Sequence, residues 1–531
     1  MQQSLITLIL LISLGVVSAA GNCSGLPSML ATNSANTNQQ WHAVPLLTVG
    51  DQFAAYMPPG RLDGIGALPQ KEGVVRIFVN HEMAGNKGYA YKLANGTDLT
   101  GARISFFDIR TDNLNIINAG LAYDTIYDRE AKPVSEASQI NEKNDSSKGL
   151  TKFCSGRSIQ AGNFAFADDI FFTGEEAKKN KHPHGGTIWA LDVRDRTLHA
   201  APTLGRGSWE NVTPLETGNN KTVALLMGDD MAPAPLYLYL GKKSLAQSTG
   251  FLERNGLTEG QLYCWKSDAG HINPQNFNKS KNRSHGRFVP LDVRQAEKSG
   301  HYGYDSQGYL DSNRLRQAGF NKGCFQFSRP EDLHNDPANP TRAVFSSTGH
   351  GGIHPADDWG TLYFISLNFD SLPAIHSNSI AAELMIAYDS DEDGRRDMGI
   401  RSPDNLTWAG NGLIYVQEDS ATRLNTFGAN GIESSIWQFD PKTLTAERIA
   451  EINRKAVVPA GATDKNHRTT GTWESSGIVD VTGYFDTYAG ETLLLTTVQA
   501  HKVNGGPVIG GAKHLVESGQ LILLTNKQKR Q

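Results

Sequence analysis

Short runs of branched and aromatic residues, separated by Gly, Asn and Asp, follow one another along most of this chain. Runs such as 224–227 (Ala-Leu-Leu-Met) and 236–239 (Leu-Tyr-Leu-Tyr) have the length and composition of β-strands, and the residues between the runs favour turns. Only two short stretches, near 244–255 and 311–318, indicate helix. The pattern therefore predicts an all-β protein.

A unit of three such strands recurs along the chain. The first strand opens near an acidic residue, the second ends on polar residues, and the third is rich in aromatic and branched residues. Clear copies begin at Trp209-Glu210 and at Arg329-Pro330-Glu331. Six copies at uneven spacing predict a six-bladed β-propeller with loop insertions. We expect one propeller domain over residues 21–531, with the polar segment 242–325 as its largest insertion, crossing one face.

Aligning the first strands places one metal-binding residue type at the same position of every copy. These residues are Asp63, Cys154, Glu210, Glu331, Asp404 and Glu474. Equivalent positions of a propeller converge on its central channel, so the six side chains would form a ring. Crowded acids raise one another's pKa unless cations neutralise them. The ring therefore predicts bound cations, and solvated residues at strand starts are the alternative.

Further acids suggest calcium. Four second strands end in acidic residues, among them Glu82 in the first copy and Glu175 in the second, and carboxylate oxygens are the ligands that Ca²⁺ prefers. A separate segment, 389–397, has the spacing of a calcium loop without the acid that an EF-hand carries at its twelfth position. An acidic surface turn is the alternative there. The loop candidates are Asp389, Asp391, Asp393 and Asp397.

One cation stands beside the predicted ring. Arg329 precedes Glu331 by two residues, which in a strand would put both side chains on one face. A guanidinium beside a metal-bound carboxylate can clamp a phosphate or carboxylate group. An internal salt bridge to Glu331 or Asp332 fits the spacing equally well.

Composition narrows the class and the compartment. The formal net charge is −5 without a long basic run, which argues against nucleic acid and anionic membranes as partners. An apolar run at 5–17 followed by Ser18-Ala19-Ala20 predicts a signal peptide over residues 1–20, with a signal anchor as the alternative. We expect a secreted protein, extracellular or periplasmic, without stable membrane insertion. Eight Asn-x-Ser/Thr sequons would allow glycosylation in a eukaryotic pathway.

Four cysteines fit an oxidising compartment. Cys264 and Cys324 flank the same insertion, and this is the disulfide that we favour. Cys154 could be a metal ligand or could pair with Cys23. The three possible pairings of four cysteines stay open from the sequence alone.

Taken in order, the motifs resemble the PhoX-type secreted alkaline phosphatases. The resemblance rests on Asn-His-Glu at 80–82, a Cys-x-Gly segment leading to Glu-Glu, Leu-Gly-Arg at 204–206, Arg-Pro-Glu at 329–331, Ser-Pro-Asp-Asn-Leu at 402–406 and Glu-x-Ser-Gly at 474–477. Each motif is common alone, but their order is fairly specific. The segment after Cys154 departs from the family pattern, because it is longer before the Glu-Glu pair.

The resemblance implies a metal-dependent phosphatase that hydrolyses phosphate monoesters at a calcium and iron cluster in the propeller channel. It implies Fe³⁺ at Cys154 and Glu210, metal at Glu331, phosphate at Arg329, and Ca²⁺ at Asp404, Glu474 and Glu175. Arg329, Glu331 and Glu210 would be the catalytic residues, and the partners small phosphorylated substrates. We also expect a monomer. The alternatives are a non-enzymatic calcium-binding extracellular propeller and another metal-dependent hydrolase, such as a phytase, lactonase or phosphotriesterase.

Overall fold

The computed structural model describes residues 25–32, 40–71, 73–140, 148–176, 185–244, 249–370, 372, 379–420, 426–456, 461–505, 508 and 514–527. The predicted signal peptide and Cys23 lie outside these ranges. No helix in the described part of the chain is long and apolar enough to cross a bilayer.

Strands dominate the described residues. In the first half of the chain they are β1 (Leu30–Thr32), β2 (Gln40–Thr48), β3 (Leu62–Pro69), β4 (Val74–His81), β5 (Tyr91–Lys92), β6 (Asp98–Leu99), β7 (Arg103–Arg110), β8 (Ile116–Leu121), β9 (Thr125–Tyr127), β10 (Phe153–Ile159), β11 (Ile170–Glu175), β12 (Ile188–Asp192), β13 (Thr197–Ala200), β14 (Trp209–Leu215), β15 (Thr222–Asp229) and β16 (Tyr237–Lys242).

The second half continues in the same style. Its strands are β17 (Gly260–Ser267), β18 (Arg283–Leu291), β19 (Pro330–Asp336), β20 (Asn339–Ser347), β21 (Thr361–Leu367), β22 (Ile380–Asp389), β23 (Pro403–Trp408), β24 (Ile414–Glu418), β25 (Ser435–Asp440), β26 (Thr445–Ile452), β27 (Ala462–Asp464), β28 (Glu474–Asp480), β29 (Thr492–Ala500), β30 (Val503–Gly505) and β31 (Ser518–Lys527). The α-helices are α1 (Phe251–Arg254) and α2 (Ser312–Asn321), at the two places where the sequence predicts helix.

Antiparallel sheets arrange these strands as propeller-like blades. The sheet orders are β3-β4-β7-β8, β10-β11-β12-β13-β9, β14-β15-β16-β17-β18-β22-β21-β20-β19, β23-β24-β25-β26-β1 and β28-β29-β31-β2, with the small pairs β5-β6 and β27-β30. The innermost strands β3, β10, β14, β19, β23 and β28 contact one another in a closed ring among the described residues. Each of these strands carries one of the six predicted ring residues as its first or second residue.

The two ends of the described chain close this arrangement. β2 pairs antiparallel with β31, and β1 pairs with β26, so N-terminal strands complete sheets that the C-terminal half begins. Pairing residues so distant in sequence covers edges that would otherwise expose unpaired backbone groups. The ring is therefore held shut by non-local hydrogen bonds.

The largest insertion behaves differently from our expectation. Instead of crossing one face, its strands β17 and β18 lie between β16 and β22 and join two blades into one nine-stranded sheet. The edge strand of a blade has unpaired backbone N–H and C=O groups, and pairing with β17 and β18 satisfies them. The joining of two units also means that the sheet order does not by itself fix the predicted number of blades. A disulfide joins Cys264 on β17 to Cys324 after α2, with Cα atoms 6.0 Å apart.

Large apolar side chains pack between neighbouring sheets. Phe172, Trp209 and Tyr237 belong to one buried cluster, in which the Trp209 and Tyr237 rings meet edge to face at 5.4 Å. Such contacts fix the angle between blades and hold the inner strands in place.

Two of the eight predicted glycosylation sites are buried. Asn211 and Asn405 lie inside the folded protein, so they are not accessible for glycosylation there.

Candidate metal centre

A cavity of about 340 Å³ opens at one end of the ring of inner strands. All of the residues predicted to form the ring line it: Asp63, Cys154, Glu210, Glu331, Asp404 and Glu474. The prediction that equivalent positions converge is therefore met by the geometry. Three of them come closest, since ligand oxygens of Glu210, Glu331 and Asp404 lie within 4.8 Å of one another and all three residues are buried.

Each inner strand contains a β-bulge, which in five of the six strands lies at the ring residue. Between the pairs Leu62↔His81 and Ile65↔Val79, β3 contains one residue more than β4, and Asp63 lies in that interval. The same extra residue occurs in β10, β14, β19, β23 and β28. A bulge re-aims a side chain and bends the strand. The bulge turns the ring residue of each strand, which is Cys154 in β10 and an acid in the others, toward the shared channel; in β28 the bulge follows Glu474.

The cluster is electrostatically unfavourable without cations. Burial, and then the neighbouring Glu331 and Asp63, raises the pKa of Glu210 well above its usual range. Burial, followed by Glu331 and Glu210, does the same to the pKa of Asp404. The buried atoms Glu210 Oε1, Asp404 Oδ1 and Asp63 Oδ1 have no hydrogen-bond partner among the described residues. Buried carboxylate oxygens without a hydrogen-bond partner are suitable ligands for a cation.

A second layer of acids comes from the ends of the second strands. Glu82, Glu176, Asp230 and Asp419 also line the cavity. Glu175, which the sequence analysis selected, does not: its carboxylate accepts the backbone N–H groups of Thr151 at 3.4 Å and Thr187 at 3.3 Å. Neighbouring strand residues face opposite sides, so Glu176 rather than Glu175 reaches the channel.

The outward-facing member of each pair has a different environment. Asp229 is bound by Arg316 at 2.7 and 2.8 Å, and Glu418 by Arg401 at 2.7 and 3.1 Å. These carboxylates are saturated by buried guanidinium groups, whereas their neighbours Asp230 and Asp419 face the cavity. Each acidic pair therefore divides into one structural residue and one channel residue.

Three cations enter the cavity from equivalent positions. Arg61, Lys152 and Arg329 each directly precede an inner strand and have left-handed backbone φ values of 55°, 46° and 69°. That conformation is uncommon for residues other than glycine and often accompanies functional sites. Sequence reasoning found only Arg329. The signal for the others was present, because Arg61 and Lys152 also stand two residues before a ring residue.

These cations pair with the acids around them. Arg329 donates from Nε to Asp230 at 2.5 Å and from Nη2 to Glu331 at 2.9 Å. Arg329 and Glu331 therefore lie on the same side, as their spacing predicted, and the predicted salt bridge between them is present. Lys152 Nζ lies 3.0 Å from Glu82 and 2.9 Å from Glu176. Burial would raise the pKa of Glu82, but Lys152 and Arg61 outweigh it and lower that pKa.

His501 is a cavity residue that the sequence analysis did not identify. Its Nε2 lies 3.1 Å from Glu474 and its Nδ1 2.6 Å from Glu517. Burial alone would lower the pKa of His501, but Glu517 and Glu474 outweigh it and raise the pKa to about 10. The imidazole is therefore charged at neutral pH. No local motif marks this residue, because Glu517 and Glu474 are distant in sequence.

Cys154 carries a thiol in the structure, and its Sγ donates to Asp63 Oδ2 at 3.4 Å. Burial, then Asp63 and Glu210, raises the pKa of this thiol. The thiol therefore stays protonated among bare carboxylates. A cation bound in the cavity would reverse that preference.

The predicted calcium loop does not converge on one point. Asp389 accepts the N–H groups of Lys279 and Asp391 at 2.8 and 2.9 Å, while Asp391 accepts those of Asp358 and Trp359. Asp397 binds Arg401 at 3.0 Å and the Gly428 N–H at 2.7 Å, and Asp393 is exposed. Asp389, Asp391 and Asp397 therefore bind separate loop segments and not a shared point.

The family model for alkaline phosphatase PhoX matches residues 172–470, which is more than half of the chain. The chain belongs to the PhoX alkaline phosphatase family. As a PhoX protein it is a phosphatase, a phosphoric monoester hydrolase that acts on small phosphorylated substrates, and the family is metal-dependent.

Solved structures agree on the fold. Pseudomonas fluorescens PhoX, in complex with vanadate as a transition-state analogue, is 15% identical and has a TM-score of 0.62, covering 95% of this chain and 97% of its own. The all-β, propeller-like fold predicted from the sequence is thereby confirmed. A mutant of the Synechocystis apocarotenoid oxygenase, 9% identical with 88% and 89% coverage, has a TM-score of only 0.33 and supports no inference. No curated protein matches the chain.

Proposed function

We propose that this PhoX phosphatase hydrolyses phosphate monoesters in the acidic cavity, with Ca²⁺ and Fe³⁺ as its cofactors. The observation that supports this is the convergence of Glu210, Glu331 and Asp404, with ligand oxygens within 4.8 Å, beside the guanidinium of Arg329. Carboxylates suit hard cations, and a thiolate at Cys154 would add a ligand that favours iron over calcium.

Charge provides the physical argument for metal ions. Nine carboxylates line the cavity, against the cations Arg61, Lys152, Arg329, Lys502 and His501. A phosphate dianion would be repelled by this excess of negative charge. The unpartnered oxygens of Glu210, Asp404 and Asp63 fit bound cations that would reverse the sign of the cavity. Bound metal ions would supply Lewis acidity and balance charge on the phosphoryl group.

In the roles proposed for this chain, Glu210, Glu331 and Cys154 hold the catalytic metals. Asp404, which the resemblance assigned to Ca²⁺, joins them because its carboxylate lies within 4.8 Å of those of Glu210 and Glu331. Calcium is assigned to Asp63, Glu82, Glu176, Asp419 and Glu474, which also face the cavity, whereas Asp230 holds Arg329. Glu176 takes the place that the sequence analysis assigned to Glu175, because Glu175 faces away from the cavity.

Arg329 is the proposed phosphate ligand. Its Nε and Nη2 are fixed by Asp230 and Glu331, and its buried Nη1 has no partner among the described residues. Two bonds to carboxylates orient the planar group, so the remaining N–H donors are preorganised for a phosphoryl oxygen. Charge that develops on that oxygen in the transition state would be stabilised without further rearrangement.

The test combines elemental analysis of the purified protein with turnover of p-nitrophenyl phosphate. Glu331→Gln should lower both metal content and kcat/KM, the latter by about 10²-fold or more. Glu175→Gln is the matched control, because that buried carboxylate faces away from the cavity, and it should retain both. Metal-free wild-type protein with full turnover would contradict the proposal, and calcium without turnover would favour a binding protein.

We further propose that the chain is exported as a monomer after removal of residues 1–20. The disulfide between Cys264 and Cys324 supports an oxidising compartment. N-terminal sequencing of the secreted protein should start at Gly21, and light scattering should give the mass of one chain. An N-terminus at Met1 in the mature protein would contradict the cleavage.

A further inference from the structure

A buried carboxylate lies directly behind the three converging metal ligands. Asp332 follows Glu331 in the bulge of β19, is 3% exposed, and is absent from the lining of the acidic cavity. Its side chain points to the other side of the inner ring, where it borders a second cavity. It therefore cannot contact a metal ion or a substrate in the acidic cavity.

The hydrogen bonds of Asp332 reach two other blades. Its Oδ1 accepts the side-chain amide of Asn211 and the N–H of Leu333, the latter at 2.7 Å, and its Oδ2 accepts the N–H of Leu406 at 2.9 Å. Asn211 immediately follows Glu210 on β14, and Leu406 stands two residues after Asp404 on β23. One carboxylate thus connects the three strands that carry Glu210, Glu331 and Asp404.

These bonds act against a repulsive force. Three carboxylates with oxygens within 4.8 Å of one another push their strands apart when ionised. Hydrogen bonds to a charged acceptor are stronger than neutral ones, and those of Asp332 lie within the bulges themselves. Ser346 adds to the same junction, because its hydroxyl donates to the Asp404 carbonyl at 2.5 Å and the Asp332 carbonyl at 3.3 Å.

We propose that Asp332 is a positioning residue that holds Glu210, Glu331 and Asp404 at the separation needed to bind metal. This inference rests on the proposed metal-dependent function. Asp332 acts through the backbone of the bulges and not on the phosphoryl group. Its removal should therefore weaken metal binding first and turnover as a consequence, with activity returning at high metal concentration.

The test uses Asp332→Asn in the full-length protein. An amide nitrogen at this place would face the donors of Asn211 or Leu406, so one bond becomes repulsive. Metal bound per chain is measured by elemental analysis after equilibration with graded free Ca²⁺ and Fe³⁺, alongside circular dichroism and p-nitrophenyl phosphate kinetics. We expect apparent metal affinity to fall about 10- to 100-fold with the strand signal preserved.

Two further variants separate positioning from general damage. The double variant Asn211→Asp with Asp332→Asn exchanges the two partners, restores a complementary pair and should recover most of the lost affinity. Asp336→Asn removes another buried acid from the same strand, whose carboxylate caps the Ala338 N–H at 2.9 Å, and should leave metal affinity unchanged.

Each result has a defined meaning. Wild-type metal affinity in Asp332→Asn would overturn the inference while leaving the proposed function intact. If Asp332→Asn does not fold, Asn211→Ala removes a single bond of the same junction, and unchanged affinity in that variant would overturn the inference. A wild-type protein that binds no metal would overturn the proposed function, and the positioning role with it.

Discussion

The acidic pair Glu418-Asp419 offers a direct test of how this propeller divides adjacent carboxylates between stability and function. Glu418 Oε1 and Oε2 together accept five hydrogen bonds, from the Arg401 guanidinium at 3.1 and 2.7 Å, the Arg401 N–H at 2.9 Å, the Ser435 N–H at 2.9 Å and the Trp437 indole at 2.8 Å. Asp419, one residue later, lines the acidic cavity. We expect Glu418→Gln to lower the stability of the fold and Asp419→Asn to lower its metal content.

The magnitude for Glu418 follows from its burial. The side chains of Glu418 and Arg401 are 0% and 2% exposed, so solvent does not screen the pair. Removing one partner of a buried ion pair costs about 3–5 kcal/mol. Asp397 lies 3.0 Å from Arg401 Nη1 and still neutralises part of the Arg401 charge when Glu418 is replaced. The expected loss in the free energy of unfolding is therefore at the lower end of this range, about 3 kcal/mol. Asp419→Asn removes one charge from a crowded acidic cavity and should cost little or nothing.

The assay is denaturant unfolding of both variants, followed by tryptophan fluorescence in excess chelator so that metal binding does not contribute to stability. Metal content is then measured on untreated protein. Glu418→Gln should be less stable with normal metal content per folded chain, and Asp419→Asn should be stable with reduced metal content. Loss of metal in Glu418→Gln at full stability, or loss of stability in Asp419→Asn at full metal content, would refute the assignment by strand alternation.

Two further predictions concern stability alone. Burial raises the pKa of Asp357 from 3.8 to about 7, so its contribution to stability is complete below pH 3.8 and is lost as the pH rises through 7. Asp357→Asn introduces a neutral isostere that does not titrate. In urea unfolding, the free energy of unfolding of the variant minus that of the wild type should therefore increase by up to about 4 kcal/mol between pH 4 and pH 8. A difference that is independent of pH would disprove this. Cys264 and Cys324 are 60 residues apart, and replacing both with Ala should cost about 4 kcal/mol, measured by chemical unfolding without reductant. Cys154→Ser is the control, since it should lower metal content but not stability, and equal stability of the Cys264/Cys324 double variant and the wild type would refute the estimate.

Much of the site was predictable because the repeated strand pattern can be recognised from residues that are neighbours in the sequence. Alternating branched and aromatic residues predicted the sheets, and aligning the first strands located Asp63, Glu210, Glu331 and their equivalents. Propeller symmetry alone then implied that these residues meet, since equivalent positions converge on the channel. The disulfide partners could be favoured from their position around one insertion.

Other features depended on the register of each strand, which local sequence leaves open. Glu175 and Glu176 are chemically alike, and only the pairing of β11 decides that Glu176 faces the channel. The 389–397 segment has calcium-loop spacing, yet Asp389, Asp391 and Asp397 accept hydrogen bonds from amides of three separate segments.

Contacts between residues on different strands could not be read from the sequence. His501 meets Glu474 and Glu517 because strand pairing within one sheet brings them together, and Asp332 meets Asn211 and Leu406 because the inner strands of neighbouring blades lie side by side. By itself the sequence determined the strands and the chemistry available at each strand start, since side-chain type and periodicity are local properties. The tertiary structure alone decided which side chains face one another and at what distance, because bulges, register and ring closure arise from packing between residues far apart in the chain.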